Sequence, residues 1–176
     1  LQAEMSPSRL APGHAGVATV TLDSRKIRDY GLTQTGIYLG FVPGDKVAPT
    51  KELTVSAVLL PDFKDAGEQA RITLPKIPLS ATTLHLGNFG NKRKQSGRIL
   101  IQNMGRATLE IERLQMFTGG IKVAMNKSRI EPGKIAKLKV TVVEEELKKV
   151  RSKPRILMIT NDPDQPKVII DIEVEK

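Results

Sequence analysis

Alternation of apolar and polar residues with a period of two is the pattern that dominates this chain. In Ala107–Leu114, for example, Leu109 and Ile111 alternate with Glu110 and Glu112. Residues two apart lie on the same face of a strand, so this alternation is typical of strands that bury one face. We therefore predict an all-β chain in which Leu109, Ile111 and Leu114 point inward.

Short strands separated by turn residues are predicted along the whole length. They cover 1–5, 15–22, 36–42, 52–60, 96–101, 107–114, 121–125, 135–143, 155–160 and 168–174. The turn composition of Asn103–Arg106 predicts a hairpin between the strands that flank it. The predicted core residues of the second half are Ile99, Ile101, Leu138, Val140, Ile170, Ile172 and Val174.

One short helix is predicted, over residues 144–150. Acidic residues come first and basic residues later, with Glu144/Lys148 and Glu145/Lys149 four positions apart. Such pairs support a helical turn. We interpret this helix as a solvated crossover between strands.

A repeat relates residues 1–22 to residues 121–142 at an offset of 120. Both copies contain a Pro-Gly turn, at Pro12-Gly13 and Pro132-Gly133, in which glycine supplies positive φ at the second central position. The identical pairs are Met5/Met125, Ser8/Ser128, Arg9/Arg129, Pro12/Pro132, Gly13/Gly133, Val20/Val140 and Thr21/Thr141. Repetition predicts a chain of similar modules, which are more often scaffolds or binding units than enzymes.

Strand number and spacing predict tandem immunoglobulin-like β-sandwiches. We assign residues 1–65 to a partial module containing its C-terminal strands, residues 66–176 to a complete one, and 60–67 to the linker. Four strands leave apolar edges open. Either more of the chain precedes residue 1 or another chain fills the gap, and we favour the first.

The formal net charge of +9 belongs to the second half of the chain. Residues 1–65 contain seven Lys/Arg and seven Asp/Glu, whereas residues 66–176 contain twenty-one and twelve. Because basic and apolar residues alternate in Lys137–Val140, we interpret much of this excess as solvated strand faces. Nucleic-acid binding is disfavoured, since only 3% of residues are aromatic and none is tryptophan.

Two basic segments are the candidate anion-binding residues. Turn glycines precede Lys92, Arg93 and Lys94, but a strand follows where a phosphate-binding loop would need a helix and a Gly-Lys-Ser/Thr ending. The second segment follows the predicted helix and contributes Lys148, Lys149, Arg151 and Lys153.

No catalytic, metal or cofactor site is predicted. Cysteine is absent, and His14 and His85 lie 71 positions apart without metal-ligand spacing. The serines lack a G-x-S-x-G elbow. The oxygen-rich segment Asn161–Asp164 lacks the spacing of a calcium loop and predicts an Asx turn instead.

The second half resembles the bacterial domain-of-unknown-function 1573 family. The resemblance rests on Ile159–Pro163 followed by Pro166 and an alternating strand, on Ile130–Gly133 and on Gln102–Gly105. It covers most of residues 70–176 and residues 1–60 partially. It implies an immunoglobulin-like sandwich related to the abnormal-spindle/hydin and pilus-chaperone-like groups, and an extracytoplasmic location.

Two departures from that family limit what can be transferred. Many relatives, often secreted or lipid-anchored proteins of Bacteroidetes, carry Cys-Gly-Cys where this chain has Met116–Gly120, without cysteine. The first module has Gly40–Pro43 where Thr160–Pro163 stands in the second. No functional residue is carried over from the resemblance.

We therefore predict a non-enzymatic extracytoplasmic protein that acts in protein interaction or as a cell-envelope scaffold. Its partner is expected to be a protein that adds a strand to the edge of the first module. The competing hypothesis is a polyanion-binding module for nucleic acid or acidic glycan, and an enzyme ranks third. No run of about 18 apolar residues predicts a membrane span, whereas a lipid anchor or further domains before residue 1 stay open.

Overall fold

The computed structural model describes residues 1–42, 44–63, 73–78 and 81–175. The chain divides into two compact units. Unit 1 comprises Leu1–Asp29 and Thr33–Leu59, and unit 2 comprises Tyr30–Leu32 and Leu60–Lys176. Part of the predicted linker, residues 64–67, lies outside the described residues.

Unit 1 consists of two separate two-stranded sheets. Strand β1 (Gln2–Ser6) pairs antiparallel with β2 (Val17–Thr21), and β3 (Gly31–Tyr38) pairs with β4 (Glu52–Leu59). The first two residues of β3 belong to unit 2. None of the described residues of unit 1 is fully buried, so this unit has no closed hydrophobic core.

The predicted strand 36–42 was wrong at both ends, because β3 begins at Gly31 and ends at Tyr38. Leu39 N–H donates to the Lys51 carbonyl at 2.9 Å, and Phe41 N–H donates to Asp45 Oδ2 at 3.0 Å. These bonds turn the chain at residues where alternation alone predicts continuation.

Unit 2 is a β-sandwich with one short helix, and the all-β immunoglobulin-like prediction is confirmed. Its three-stranded sheet has the order β6-β10-β8, and its five-stranded sheet has the order β5-β12-β11-β7-β9. Neighbouring strands are antiparallel except for the parallel pair β5 and β12. The elements are β5 (Thr83–Leu86), β6 (Lys94–Gln102), β7 (Leu109–Met116), β8 (Ile121–Met125), β9 (Arg129–Ile130), β10 (Ile135–Val143), α1 (Glu144–Leu147), β11 (Arg155–Thr160) and β12 (Lys167–Val174).

The hydrophobic core lies between these two sheets and contains the side chains that alternation assigned to it. Ile101, Leu138, Val140 and Ile170 are completely buried. Ile99 and Ile172 are buried nearly as far, and Val174 packs against the core from its rim. Burial of such side chains is the main stabilising contribution to a sandwich of this size.

The predicted hairpin at Asn103–Arg106 was wrong, since β6 and β7 lie in different sheets. Asn103 is fully buried at this crossover. Its Nδ2 donates to the carbonyls of Ala107 at 2.7 Å and Ile130 at 2.8 Å, while its Oδ1 accepts from Gly105 N–H at 2.9 Å. The side chain thereby satisfies backbone groups that a change of sheet would otherwise leave unpaired.

Side chains also hold the segment that precedes β5, which we call the leading segment (residues 73–78). Ile77 N–H donates to Asp162 Oδ2 at 2.8 Å, and the Ile77 carbonyl accepts from Gln165 Nε2 at 2.9 Å. Asp162 is buried, and its Oδ1 accepts from Asp164 N–H at 2.9 Å. This last bond confirms the predicted Asx turn, which here also anchors the leading segment.

Strand β11 is buried on both faces. Ile156 and Met158 belong to the core, yet the intervening Leu157 and Ile159 are also completely buried. An uninterrupted apolar run is typical of a strand covered from both sides.

The segment Tyr30–Leu32 of unit 2 lies next to β11's neighbour, β7. Gln115 Oε1 accepts from Leu32 N–H at 2.6 Å, and Gln115 Nε2 donates to the Leu32 carbonyl at 3.2 Å. Arg113 Nε donates to the Tyr30 carbonyl at 3.2 Å. Arg113 and Gln115 are the register partners of Ile159 and Leu157, so this segment lies on the outer face of the five-stranded sheet.

The two copies of the repeated segment form the same strand pair. In unit 1 Met5 pairs with Ala18 and Ala3 with Val20, and in unit 2 Met125 pairs with Leu138 and Val123 with Val140. The turns match as well, with φ of 79° at Gly13 and 71° at Gly133. The offset of 120 therefore preserves both register and turn, and β1 and β2 correspond to β8 and β10.

Gly105 allows the crossover and the leading segment to approach each other closely. A Cβ atom at this position would lie 2.3 Å from the Leu74 carbonyl oxygen and 2.4 Å from the Lys76 nitrogen, both of which are backbone atoms. We expect Gly105→Ala to lower the free energy of unfolding by about 1–3 kcal/mol, since backbone must shift to make room.

Gly119→Ala is the matched control, because a Cβ there meets nothing within 4 Å and its φ is not positive. Chemical denaturation of both variants measures the difference. Gly119→Ala should stay within about 0.5 kcal/mol of the native chain. Equal stability of the two variants would contradict the close approach.

Candidate functional site

The first predicted basic segment lies in a tight turn at the start of β6. Lys92 N–H donates to the Phe89 carbonyl at 2.7 Å, and Gly90 adopts a φ of 50°. Lys92, Arg93 and Lys94 are exposed, and Lys94 is the first residue of β6. The segment is thus a basic turn that leads into a strand.

The second basic segment follows α1, at the same end of unit 2. Glu144 N–H donates to the Arg93 carbonyl at 3.1 Å, so the fold brings the two predicted segments next to each other. Lys148 Nζ lies 2.6 Å from Glu144 Oε1, which confirms one of the two predicted helical ion pairs. Lys149, Arg151 and Lys153 are exposed, and Lys149 has no ion-pair partner within the described part of the chain.

A pocket of ≈ 630 Å³ opens beside these segments. Phe89, Leu147 and Val174 form its apolar part, and they also pack against the core. Around them the pocket has two carboxylates, Glu144 and Glu175, and a single ammonium group, Lys148. An anion would meet more negative than positive charge here, so the pocket fits an apolar group better than a phosphate or sulfate.

The outer face of the three-stranded sheet is the largest concentration of positive charge on the described strands. From the sequence we predicted only that the basic residues of these strands are solvated. The alternation of basic with core residues already indicated that the basic residues share one face of the sheet. We call this surface the basic face. Its cations are Lys94, Arg98, Lys122, Lys137 and Lys139, all exposed, and β6, β8 and β10 contain no acidic residue.

The predicted edge for strand addition lies in unit 1, and β2 is its clearest candidate. In unit 2, β10 pairs with β8 on one side and with β6 on the other. The corresponding β2 pairs with β1 alone among the described residues. Its Val20 is only half-buried and its Ala18 is exposed, whereas their counterparts Val140 and Leu138 are fully buried.

The loop between β3 and β4 presents exposed apolar side chains. Phe41 is 79% exposed, and Val42 and Val47 are also largely exposed. Lys51 Nζ lies 2.6 Å from Asp45 Oδ2 and 4.7 Å from the centre of the Phe41 ring. The ion pair and the cation–π contact therefore hold Phe41, Asp45 and Lys51 together, while the Phe41 side chain stays exposed.

The two histidines lie in different units, and each has a local contact. His14 Nδ1 is 3.3 Å from the Pro12 carbonyl, and His85 Nδ1 is 3.2 Å from Glu173 Oε2. Among the described residues, no three His, Asp or Glu side chains group closely enough to hold a metal ion. No described helix is long and apolar enough to cross a membrane.

Comparisons with known proteins give a family match within unit 2 and solved structures that are similar in fold. A family model described as HYDIN/CFA65/VesB-like, Ig-like domain matches residues 75–175, which is more than half of the chain. The crystal structure of a protein of unknown function from Porphyromonas gingivalis W83 is similar, with a TM-score of 0.66 and 17% identity. The match covers 92% of this chain and 71% of that one.

A more distant similarity is to the secreted serine protease VesC from Vibrio cholerae. Its TM-score is 0.39 at 9% identity, over 71% of this chain and 27% of that one. This similarity is too low to bear on fold or activity. No curated protein matches the chain.

The Asp45 carboxylate should titrate at an unusually low pH. Its hydrogen bond from the Lys51 ammonium group, followed by that from Phe41 N–H, lowers the pKa below the ordinary value. Because both bonds favour the charged form, any stability they contribute is present above the ordinary pKa of about 4 and is lost as pH falls through the lowered one. Carboxyl NMR titration should give this low midpoint.

Lys51→Met removes the main cause and should move the Asp45 midpoint back towards the ordinary value. Lys46→Met is the control, since it removes the same charge from the same loop while the Lys46 side chain makes no bond to Asp45. If both substitutions moved the midpoint equally, the low pKa would reflect general charge instead of the Lys51 contact.

Proposed function

The chain belongs to the HYDIN/CFA65/VesB-like Ig-like domain family, and from this premise we propose that it is a non-enzymatic, extracytoplasmic scaffold or protein-interaction protein. Domains of this family are generally non-catalytic. We assign it more narrowly to the domain-of-unknown-function 1573 group, on the Ile159–Pro163 and Ile130–Gly133 segments. In this proposal residues 1–65 and 66–176 are tandem modules, the first of them partial.

The observation that carries the proposal is the single-sided pairing of β2. Its counterpart β10 satisfies backbone groups on both sides, with β6 antiparallel to it over nine residue pairs. Unpaired N–H and C=O groups along a strand are a template for an added strand. In our proposal an extended segment binds antiparallel to β2 on the side that corresponds to β6.

The side chains of β2 support an occupant with one apolar face. Ala18 and Val20 occupy the positions of Leu138 and Val140, which face the core of unit 2. A segment with apolar residues at alternate positions would cover them from the side as well as pair with the backbone. The partner is therefore a protein segment of strand-like alternation, either from the same gene product before residue 1 or from another chain.

A peptide copying β6, Lys94–Gln102, is a direct probe, since β6 occupies the corresponding position on β10. We expect this peptide to slow hydrogen exchange of the backbone amides of Val17–Thr21, as measured by NMR. Val20→Lys should abolish this protection because it places a charge on the face that the peptide closes. Met104→Lys is the control, since it introduces the same charge at a position that is 64% exposed in unit 2.

A scrambled peptide of the same composition separates strand addition from charge attraction. It keeps the two cations of Lys94–Gln102 but loses the alternation. Protection of β2 by the scrambled peptide as well as by the copy would contradict the proposal. So would protection confined to unit 2.

The full-length gene product tests location and occupant together. We expect cell fractionation to recover it outside the cytoplasm, and its structure to show an extended segment beside β2. Recovery in the cytoplasm would refute the proposed location. A full-length structure in which β2 is buried against a helix or loop would refute strand addition at that site.

A further inference from the structure

The charges of the basic face form a regular series. Along β10, Lys137 and Lys139 are two residues apart, and Arg98 of β6 is the register partner of Lys139. Lys122 is the register partner of Thr141, and Lys94 is that of Val143. These two cations therefore lie two and four residues beyond Lys139 along β10. Steps of two residues are about 6.7 Å in a strand, so the series extends over about 20 Å.

This arrangement contains an uncompensated repulsion. Arg98 and Lys139 lie directly opposite each other, and like charges at such positions destabilise a sheet. Neither has an ion-pair partner among the described residues. The other sheet differs, since it pairs Arg129 with Glu110 at 2.9 Å and has Asp171 3.9 Å from Arg155.

Acidic residues occur only beyond the ends of the three strands. Glu131 lies in the turn before β10, and Glu144, Glu145 and Glu146 lie in α1 after it. Within the sheet itself no negative charge interrupts the cations. An anionic ligand would therefore be held along the strands, away from the pocket at Phe89.

We propose that the basic face binds a linear acidic polysaccharide. Its repeated carboxylate or sulfate groups complement cations placed at regular steps. Leu100 and Ile135, which are 47% and 45% exposed at one end of this face, offer apolar contact to the C–H faces of sugar rings. The three strands have no aromatic residue on which nucleic-acid bases could stack.

The site differs from the basic turns predicted from the sequence. Lys94 is common to both, whereas Arg98, Lys122, Lys137 and Lys139 are part of the basic face alone. Strand addition to β2 uses unit 1 and backbone groups, so either proposal can fail without the other.

The test compares two triple variants that remove the same charge. Arg98→Ser/Lys137→Ser/Lys139→Ser changes the basic face, and Lys149→Ser/Arg151→Ser/Lys153→Ser changes the exposed segment after α1. Binding to heparin and to polygalacturonate is measured by titration at several salt concentrations, with neutral dextran as the uncharged control. We expect the native chain to bind both acidic polymers and not dextran, more weakly as salt rises.

The basic-face variant should lose about tenfold or more in affinity, and its salt dependence should fall by about three released ions. The second variant should stay within about threefold of the native chain. Because the first variant removes the repulsion between Arg98 and Lys139, its melting temperature should equal or exceed the native one. A reduced affinity in this variant thus reports on binding and not on unfolding.

Three results would overturn the proposal. Equal losses in the two variants would assign binding to net charge, and a loss in the second variant alone would assign it to the segment after α1. Stronger binding to single-stranded DNA or to vesicles of anionic lipid than to both polysaccharides would assign the face to another class of ligand.

Discussion

The structure depends on one constraint, which is that buried backbone N–H and C=O groups need hydrogen-bond partners. Strand pairing satisfies most of them in unit 2, and β10 is paired on both sides. Where strands end or change sheet, side chains supply these hydrogen bonds instead. Asn103 bonds backbone groups of the crossover, Asp162 and Gln165 bond the backbone of Ile77, and Gln115 bonds the backbone of Leu32. Among the side chains of the described residues, only the Thr118 hydroxyl is buried without a hydrogen-bond partner.

The same constraint separates the two units. In unit 2, pairing of β10 with β6 places Leu138 and Val140 in a core closed by the opposite sheet. In unit 1, β2 has the same alternation and the same register with its first neighbour, but Ala18 and Val20 are not buried. A strand pair alone does not exclude water, because burial needs a second neighbour and a second sheet. The repeated sequence thus forms the same strand pair in both units, but its alternate side chains are buried only in unit 2.

Much of the fold could be predicted from the sequence, because alternation and Pro-Gly turns are local signals. Ile121–Met125 and Ile135–Val143 were predicted with the bounds that the structure has. The hairpin at Asn103–Arg106 was wrong because turn composition does not reveal which sheet the next strand joins. The candidate anion-binding residues Lys92–Lys94 are visible in the sequence as a charge run, whereas the basic face is assembled from three strands far apart in sequence. Only the register brings Arg98 opposite Lys139.

The two sheets of unit 2 also differ in the burial and charge of their outer faces. The five-stranded sheet has Leu157 and Ile159 buried on its outer side, and neighbouring charges of opposite sign occur there. The side chains of its outer face therefore contribute to the stability of the fold. The three-stranded sheet keeps the core positions apolar but places only cations among its charged outer residues. Since those cations cost stability where they face each other and contribute nothing to the core, the fold does not require them. Their regular placement is better explained by a negatively charged ligand than by solubility, which interspersed charges of both signs would serve at lower cost.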